Sequence, residues 1–134
     1  MLAPDGMWPA PKLGAGRKAI GVPGGSQALA RSQTVTVTLD ARSFELRRPS
    51  LLGAVLIKAR SLMVHRDPDT QREDLLRLLA LVDDPRSMAP DMRKSERRWL
   101  HDAEDRLGLS GRSDLDAESM RRATLAYRLL VSMS

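Results

Sequence analysis

Two stretches of this 134-residue chain hold residues whose types and spacing could do chemistry. The first is "GVPGGSQALARSQTVTVTLDAR", Gly21 to Arg42, where Gly-Gly-Ser opens a helix-like run and a β-rich segment ends in an acid. Backbone amides at a helix start can hold a triphosphate, and two carboxylates on one strand face can bind Mg²⁺. Here Gly25 and Ser26 are followed by Asp40-Ala41-Arg42, so an arginine stands where the second carboxylate is needed. One acid cannot hold two metal ions, and a guanidinium beside it opposes cation binding. Asp40 also falls where a hairpin must turn. The stretch reads as a turn leading into a short helix, and as a metal site it fails.

The second stretch is the apolar run Leu51 to Val64, interrupted by Lys58 and Arg60, of which Lys58 is the candidate. On one reading its stem covers the apolar stripe while the ammonium reaches water. On the other it faces a phosphate, with Asp74 on the following helix as partner. The spacing leaves both open.

Other chemistry is thin. His65 and His101 lie far apart with no third ligand at metal spacing. His101 precedes Asp105 by four residues, which predicts a surface pairing, and Asp83-Asp84 before a proline read as a turn. No Gly-x-Ser-x-Gly elbow is present, and the lack of cysteine excludes disulfides, thiolate metal sites and a cysteine nucleophile.

The elements that must position Lys58 and Asp74 emerge from periodicity. The first 25 residues contain ten Pro or Gly and read as an extended arm, with a short strand at Ala19 to Val22. Ser26 to Arg31 could form a turn or two of helix. "TVTVTLD" (34–40) and "SFELRR" (43–48) alternate in period two, which predicts an antiparallel hairpin turning around Asp40–Arg42. Val35, Val37, Leu39, Phe44 and Leu46 are expected to face a shared core, because a lone hairpin is marginal in water.

From Pro49 onward the pattern is helical. Leu52, Val55, Leu56, Ala59, Leu62 and Met63 form one stripe. A second helix starts at an Asp67 N-cap with Pro68 behind it, and its stripe is Leu75, Leu78, Leu79 and Val82. "DDPRSMAP" is expected to break the chain. Ser95 is expected to cap a third helix, with Trp99, Leu100, Ala103 and Leu107 inward, which stops at Gly108. "SDLD" (113–116) has the shape of a capping box and opens a helix to about Val131, with Met120, Ala123, Tyr127 and Leu130 buried. The expected fold is therefore α+β: a Pro/Gly-rich arm with a short helix over residues 1–33, then one domain over 34–134 of a β-hairpin and about four helices.

Composition bounds the partners. Hydrophobic residues make up 42%, yet the only large rings are Trp8, Trp99, Phe44 and Tyr127, so the core must be Leu, Val, Ala and Met. Net charge is +5; residues 1–33 hold four basic side chains against one acid, and the remainder is nearly balanced. A nucleic-acid binder concentrates cations on one face and adds rings to stack on bases. Here the signs alternate and rings are scarce, so nucleic acid is not the favoured partner, although the arm could supply charge. No basic cluster precedes an apolar stretch near the start, and the longest apolar run is too short for a bilayer. These features fit a cytoplasmic protein without a membrane partner.

The run "LRRPSLLGAVLIKARSLMVHRDPDTQREDLLRLLALVDDP" resembles the latter half of abortive-infection-type (AbiEii-like) nucleotidyltransferases, often toxins of toxin–antitoxin pairs. The resembling features are a hairpin, a helix with Pro followed by a Lys-Ala, and an Asp-Leu-x-x-Leu helix. "LAPDG" at 2–6 also looks like the segment just after that family's third catalytic carboxylate. The resemblance covers roughly residues 2–107. It implies a polymerase-β-like nucleotidyltransferase fold with a helical C-terminal part. It carries Lys58 and Asp74 over as nucleotide-positioning residues.

By this resemblance the family's Gly-Ser and Asp-x-Asp module is expected to lie ahead of residue 1. The expectation is a truncated or degenerate nucleotidyltransferase-like protein that does not transfer nucleotide alone. Mg²⁺ and a nucleoside triphosphate would then come into play only with that missing module. The alternatives are a small interaction or regulatory module using the Leu-rich helices, with an antitoxin-like or self-association partner, and a basic nucleic-acid-binding protein.

Overall fold

The structure, a computed structural model, describes residues 2–4 and 20–22 as backbone, and residues 25–64 and 66–133 in full. Two short strands, β1 (Leu2–Pro4) and β2 (Ile20–Val22), pair in parallel, and α1 (Gly25–Ala30) comes next. A hairpin of β3 (Ser32–Leu39) and β4 (Arg42–Pro49) leads into α2 (Leu51–Val64) and α3 (Pro68–Ala80). The chain then makes α4 (Pro85–Met88), a 3-10 turn at Ala89–Asp91, α5 (Lys94–Asp102), α6 (Glu104–Leu107) and α7 (Ala117–Ser132). The α+β class is as expected from the sequence.

The core is helical. α2 packs on α3 and α5, and α3 packs on α7. Val55, Leu56, Ala59 and Leu62 of α2 meet Leu75, Leu76 and Leu79 of α3, with Leu100, Leu107, Ala123 and Leu130 completing one apolar cluster. Burying a leucine side chain contributes about 1.5–3 kcal/mol, so this stripe-to-stripe packing dominates stability. Leu76 joins the core beside the expected stripe, while Leu78 and Met63 sit at its edge.

The hairpin is the main departure. Its register pairs Val35 with Leu46 and Val37 with Phe44, so the apolar residues do share one face. That face is not in the core: Phe44 is 50% and Leu39 65% exposed, and β4 is exposed at every position. The helices satisfy one another's stripes, and among the described residues none covers the ribbon's apolar face. The turn is two residues, Asp40 and Ala41, both with positive φ (48° and 61°), as a type I′ hairpin requires.

The helix ends agree with the sequence signals at some positions and depart from them at others. Asp67 caps α3 through the Thr70 amide with Pro68 in the first turn, as expected. Gly108, left-handed at φ 52°, ends α6. Pro49 closes β4 instead of opening α2, because its ring fits an edge strand. "DDPRSMAP" separates α3 from α5 as expected, but it is not without structure: the Asp84 carboxylate accepts from the Ser87 amide and starts the one-turn α4 at Pro85. Ser95 is not the cap of α5, which begins one residue earlier, with the Glu96 carboxylate accepting from the Arg93 amide at 2.7 Å. The box "SDLD" does not cap through Ser113; Asp116 is the N-cap of α7, accepting from the Ser119 amide at 2.8 Å. The Ser119 amide and hydroxyl hold the Asp116 carboxyl below its ordinary range.

Candidate functional site: the Lys58 seam between two helices

α2 and α3 are consecutive helices whose apolar stripes face each other, which forces the margins of the stripes into line as well. Lys58 lies on the margin of α2, less than a turn from Val55 and just over a turn from Leu62. Gln71 and Asp74 are three residues apart on α3 and so share one face. The packing brings them together: Lys58 Nζ donates to Asp74 Oδ2 at 2.7 Å and to Gln71 Oε1 at 3.1 Å. The two side chains of the ion pair are 30% and 36% exposed, so the cluster sits at the rim of the core with its outer side open. Lys58 thus meets the acid that the sequence offered as its partner.

Such a cluster can hold an anion. An ammonium has three donors, and two are occupied by protein oxygens. A phosphate arriving from the open side would use the remaining proton and compete with Asp74 for the charge. The cluster does not fit Mg²⁺, because its one carboxylate already neutralises a lysine. Asp40 does not fit it either, being in the exposed hairpin turn two residues from Arg42. Among the described residues no three His, Asp or Glu side chains gather as a metal would require. His101 is exposed on α5, and no bond joins it to Asp105 as the spacing had suggested. His65 and Gly24 lie outside the described residues, as do Asp5 and Gly6 of "LAPDG".

Other polar clusters had no sequence signal, and they are structural. The Glu96 carboxylate, 1% exposed, takes the Arg31 guanidinium through Nε at 3.3 Å and Nη2 at 2.7 Å. Burial pushes the Glu96 carboxyl up, but the bonds and charges of Arg31 and Arg93 outweigh it and hold it below its ordinary value. Arg72 donates to the Leu107 and Gly108 carbonyls, and Glu73 accepts from Ser113 and the Asp114 amide, so α3 ties down the approach to α7. Arg106 donates to the Leu62 and Met63 carbonyls at the end of α2, which lack helical partners. A sequence shows such arginines only as charge, since their acceptors are carbonyls of distant residues.

An open cleft of about 430 Å³ lies between α4 and α7, floored by Val82, Pro85 and Leu125. Of its polar groups, Asp84 is engaged in capping α4 and Arg122 with Asp83 at 2.6 Å, and the cleft does not include Lys58. Among the described residues no helix is long and apolar enough to cross a membrane. No protein-family model, curated protein or solved structure matches this chain.

Proposed function

We propose that this chain is a nucleotidyltransferase-like segment that offers Lys58 to the phosphates of a nucleotide and does not transfer nucleotide by itself. The observation that supports this is the Lys58–Asp74 pair. Two residues marked out by their place in the sequence, sixteen apart, meet at 2.7 Å on an open rim. Asp74 and Gln71 hold the ammonium at one place, which lowers the entropy lost on meeting a ligand.

The parallel pairing of β1 with β2 points the same way. Parallel strands normally belong to larger sheets covered on both faces, and three residues per strand make a weak sheet alone. The leucines of the helices, by contrast, are mostly spent in the core, which gives an interaction module built on them little surface to use. In this reading the paired carboxylates, Mg²⁺ and the triphosphate's reacting end belong to a separate Gly-Ser and Asp-x-Asp module.

Calorimetric titration with Mg²⁺ and ATP tests it. The chain should bind weakly, Lys58→Ala should lose about tenfold or more in affinity, and circular dichroism should show both folded alike. Binding unchanged in Lys58→Ala, or no nucleotide binding by the unaltered chain, would overturn the reading.

A further inference from the structure

The β3–β4 ribbon is amphipathic and one of its faces is uncovered. Pairing 35↔46 and 37↔44 puts Val35, Val37, Leu39, Phe44 and Leu46 side by side. The other face carries Thr34, Thr36, Thr38 and Ser43 beside Glu45 and Arg47, and it is knitted by Thr38 Oγ1 to Ser43 Oγ at 3.1 Å and Arg47 to Ser32 at 2.6 Å. Among the described residues the apolar face is left open, and Leu39, Phe44 and Leu46 are each at least half exposed. A two-stranded ribbon is marginal in water, and period-two alternation is the signature of a face meant to be covered. Contiguous exposed apolar surface of this kind marks interaction sites.

The charges on that face select its occupant. Arg48 pairs with Gln33 at the base and Arg42 with Leu39 at the tip, so a guanidinium stands at each end of the apolar strip. Oriented with its amide oxygen toward Arg48, Gln33 accepts from Nε at 3.2 Å and Nη2 at 3.1 Å, which lays the guanidinium along the face. No acid lies on the face; Asp40 is in the turn and Glu45 points to the other side. Two copies set face to face would gather four guanidinium groups around one apolar patch with no carboxylate to answer them. A nucleic acid would meet aliphatic side chains and a single ring where stacking platforms are needed.

We propose that the apolar face of the β3–β4 ribbon docks an amphipathic protein segment whose apolar centre is flanked by carboxylates. The centre covers Val37, Phe44 and Leu46, and the carboxylates take Arg42 and Arg48, for which bidentate guanidinium pairing is well suited. Phe44 is the anchor, as the one large ring on the face. The surface shares no residue with the Lys58 cluster, so the proposal stands or falls separately from the nucleotide reading.

The test is a nuclear magnetic resonance titration of the full chain with a synthetic helical peptide of leucine and glutamate. The same peptide with lysine for glutamate, and a short DNA duplex, serve as comparisons, and sedimentation gives the oligomeric state. The Leu/Glu peptide should shift Val35, Val37, Leu39, Phe44 and Leu46 saturably. Phe44→Ser, and separately the pair Arg42→Glu with Arg48→Glu, should each weaken it about tenfold or more, while Thr36→Ser on the polar face should not. Amide spectra of the helices show whether each variant keeps its core. Equal binding of the lysine peptide, binding of neither peptide, or shifts on the same face with DNA would overturn the proposal. So would a dimer that Phe44→Ser dissolves.

Discussion

Glu96, on α5, holds Arg31, sixty-five residues earlier in the chain, at 2.7 Å with its carboxylate almost wholly out of water. The same carboxylate accepts the Arg93 amide, so one side chain both starts a helix and anchors the junction between α1 and the ribbon. Removing one partner of a buried pair leaves the other charge uncompensated. Glu96→Ala should therefore cost on the order of 3 kcal/mol in urea denaturation. Because the folded carboxyl sits below its ordinary 4.5, the contribution is whole above that pH and is lost as pH falls through the lower folded value. Denaturation midpoints between pH 5 and 3 should fall for the unaltered chain and less for Glu96→Gln.

Tyr127 is the largest buried side chain, and its hydroxyl donates to the Leu100 carbonyl at 2.9 Å. Tyr127→Phe should cost about 1 kcal/mol, since it leaves that carbonyl without its partner. Burial, with the charges of Glu104 and Asp105, pushes the phenol above its ordinary 10. The neutral form is the one that folds, so its contribution is full below pH 10 and declines above it. Phenolate absorbance should appear only together with unfolding.

Ala41 occupies the left-handed region at φ 61° in a turn that favours glycine. Ala41→Gly should stabilise the ribbon by about 1 kcal/mol, with the penalty on a Cβ in that region outweighing glycine's extra freedom when unfolded. Amide hydrogen exchange across β3 and β4 should slow several-fold while exchange in α2 and α7 stays as it was.

The Lys58–Asp74 pair should couple weakly in a double-mutant cycle, by about 0.5 kcal/mol, because both heads reach water. Melting curves of the two single variants and the double variant measure this. The melting curve of Lys58→Ala itself shows whether its nucleotide titration reports on the ligand and not on loss of fold.

The helices were legible because each buries one stripe, and stripes print directly into sequence as leucine and alanine spacing. Gly108 and the Asp67–Pro68 start were legible because backbone geometry there admits few residue types. The ribbon's pairing was also legible, from the alternation of valine and threonine. Its exposure was not, because alternation shows which residues share a face and is silent on what covers it. The caps of α5 and α7 were misplaced by two and three residues: Ser95 and Ser113 carry capping hydroxyls, but the N-cap positions are Arg93, whose amide the Glu96 carboxylate takes, and Asp116, and packing decides among them. The meeting of Lys58 with Asp74 could be named as an option from helix spacing. The third member, Gln71, lies three residues before Asp74 on the same face of α3, so the same spacing that offered Asp74 also offered it.

Both ends of the ribbon come together at one peptide: the Ser50 amide donates to the Arg31 carbonyl at 2.7 Å. Gly53 admits this approach, since a Cβ there would lie 3.1 Å from Arg31 Cβ. No ribbon residue outward of that junction contributes to the helical core. The ribbon's length is therefore a free variable of the architecture. Adding or removing two residues in each strand would move the tip by about 7 Å and return every side chain to its own face. Reach can thus change in discrete steps, by descent or by engineering, while the helices that carry Lys58 need not change.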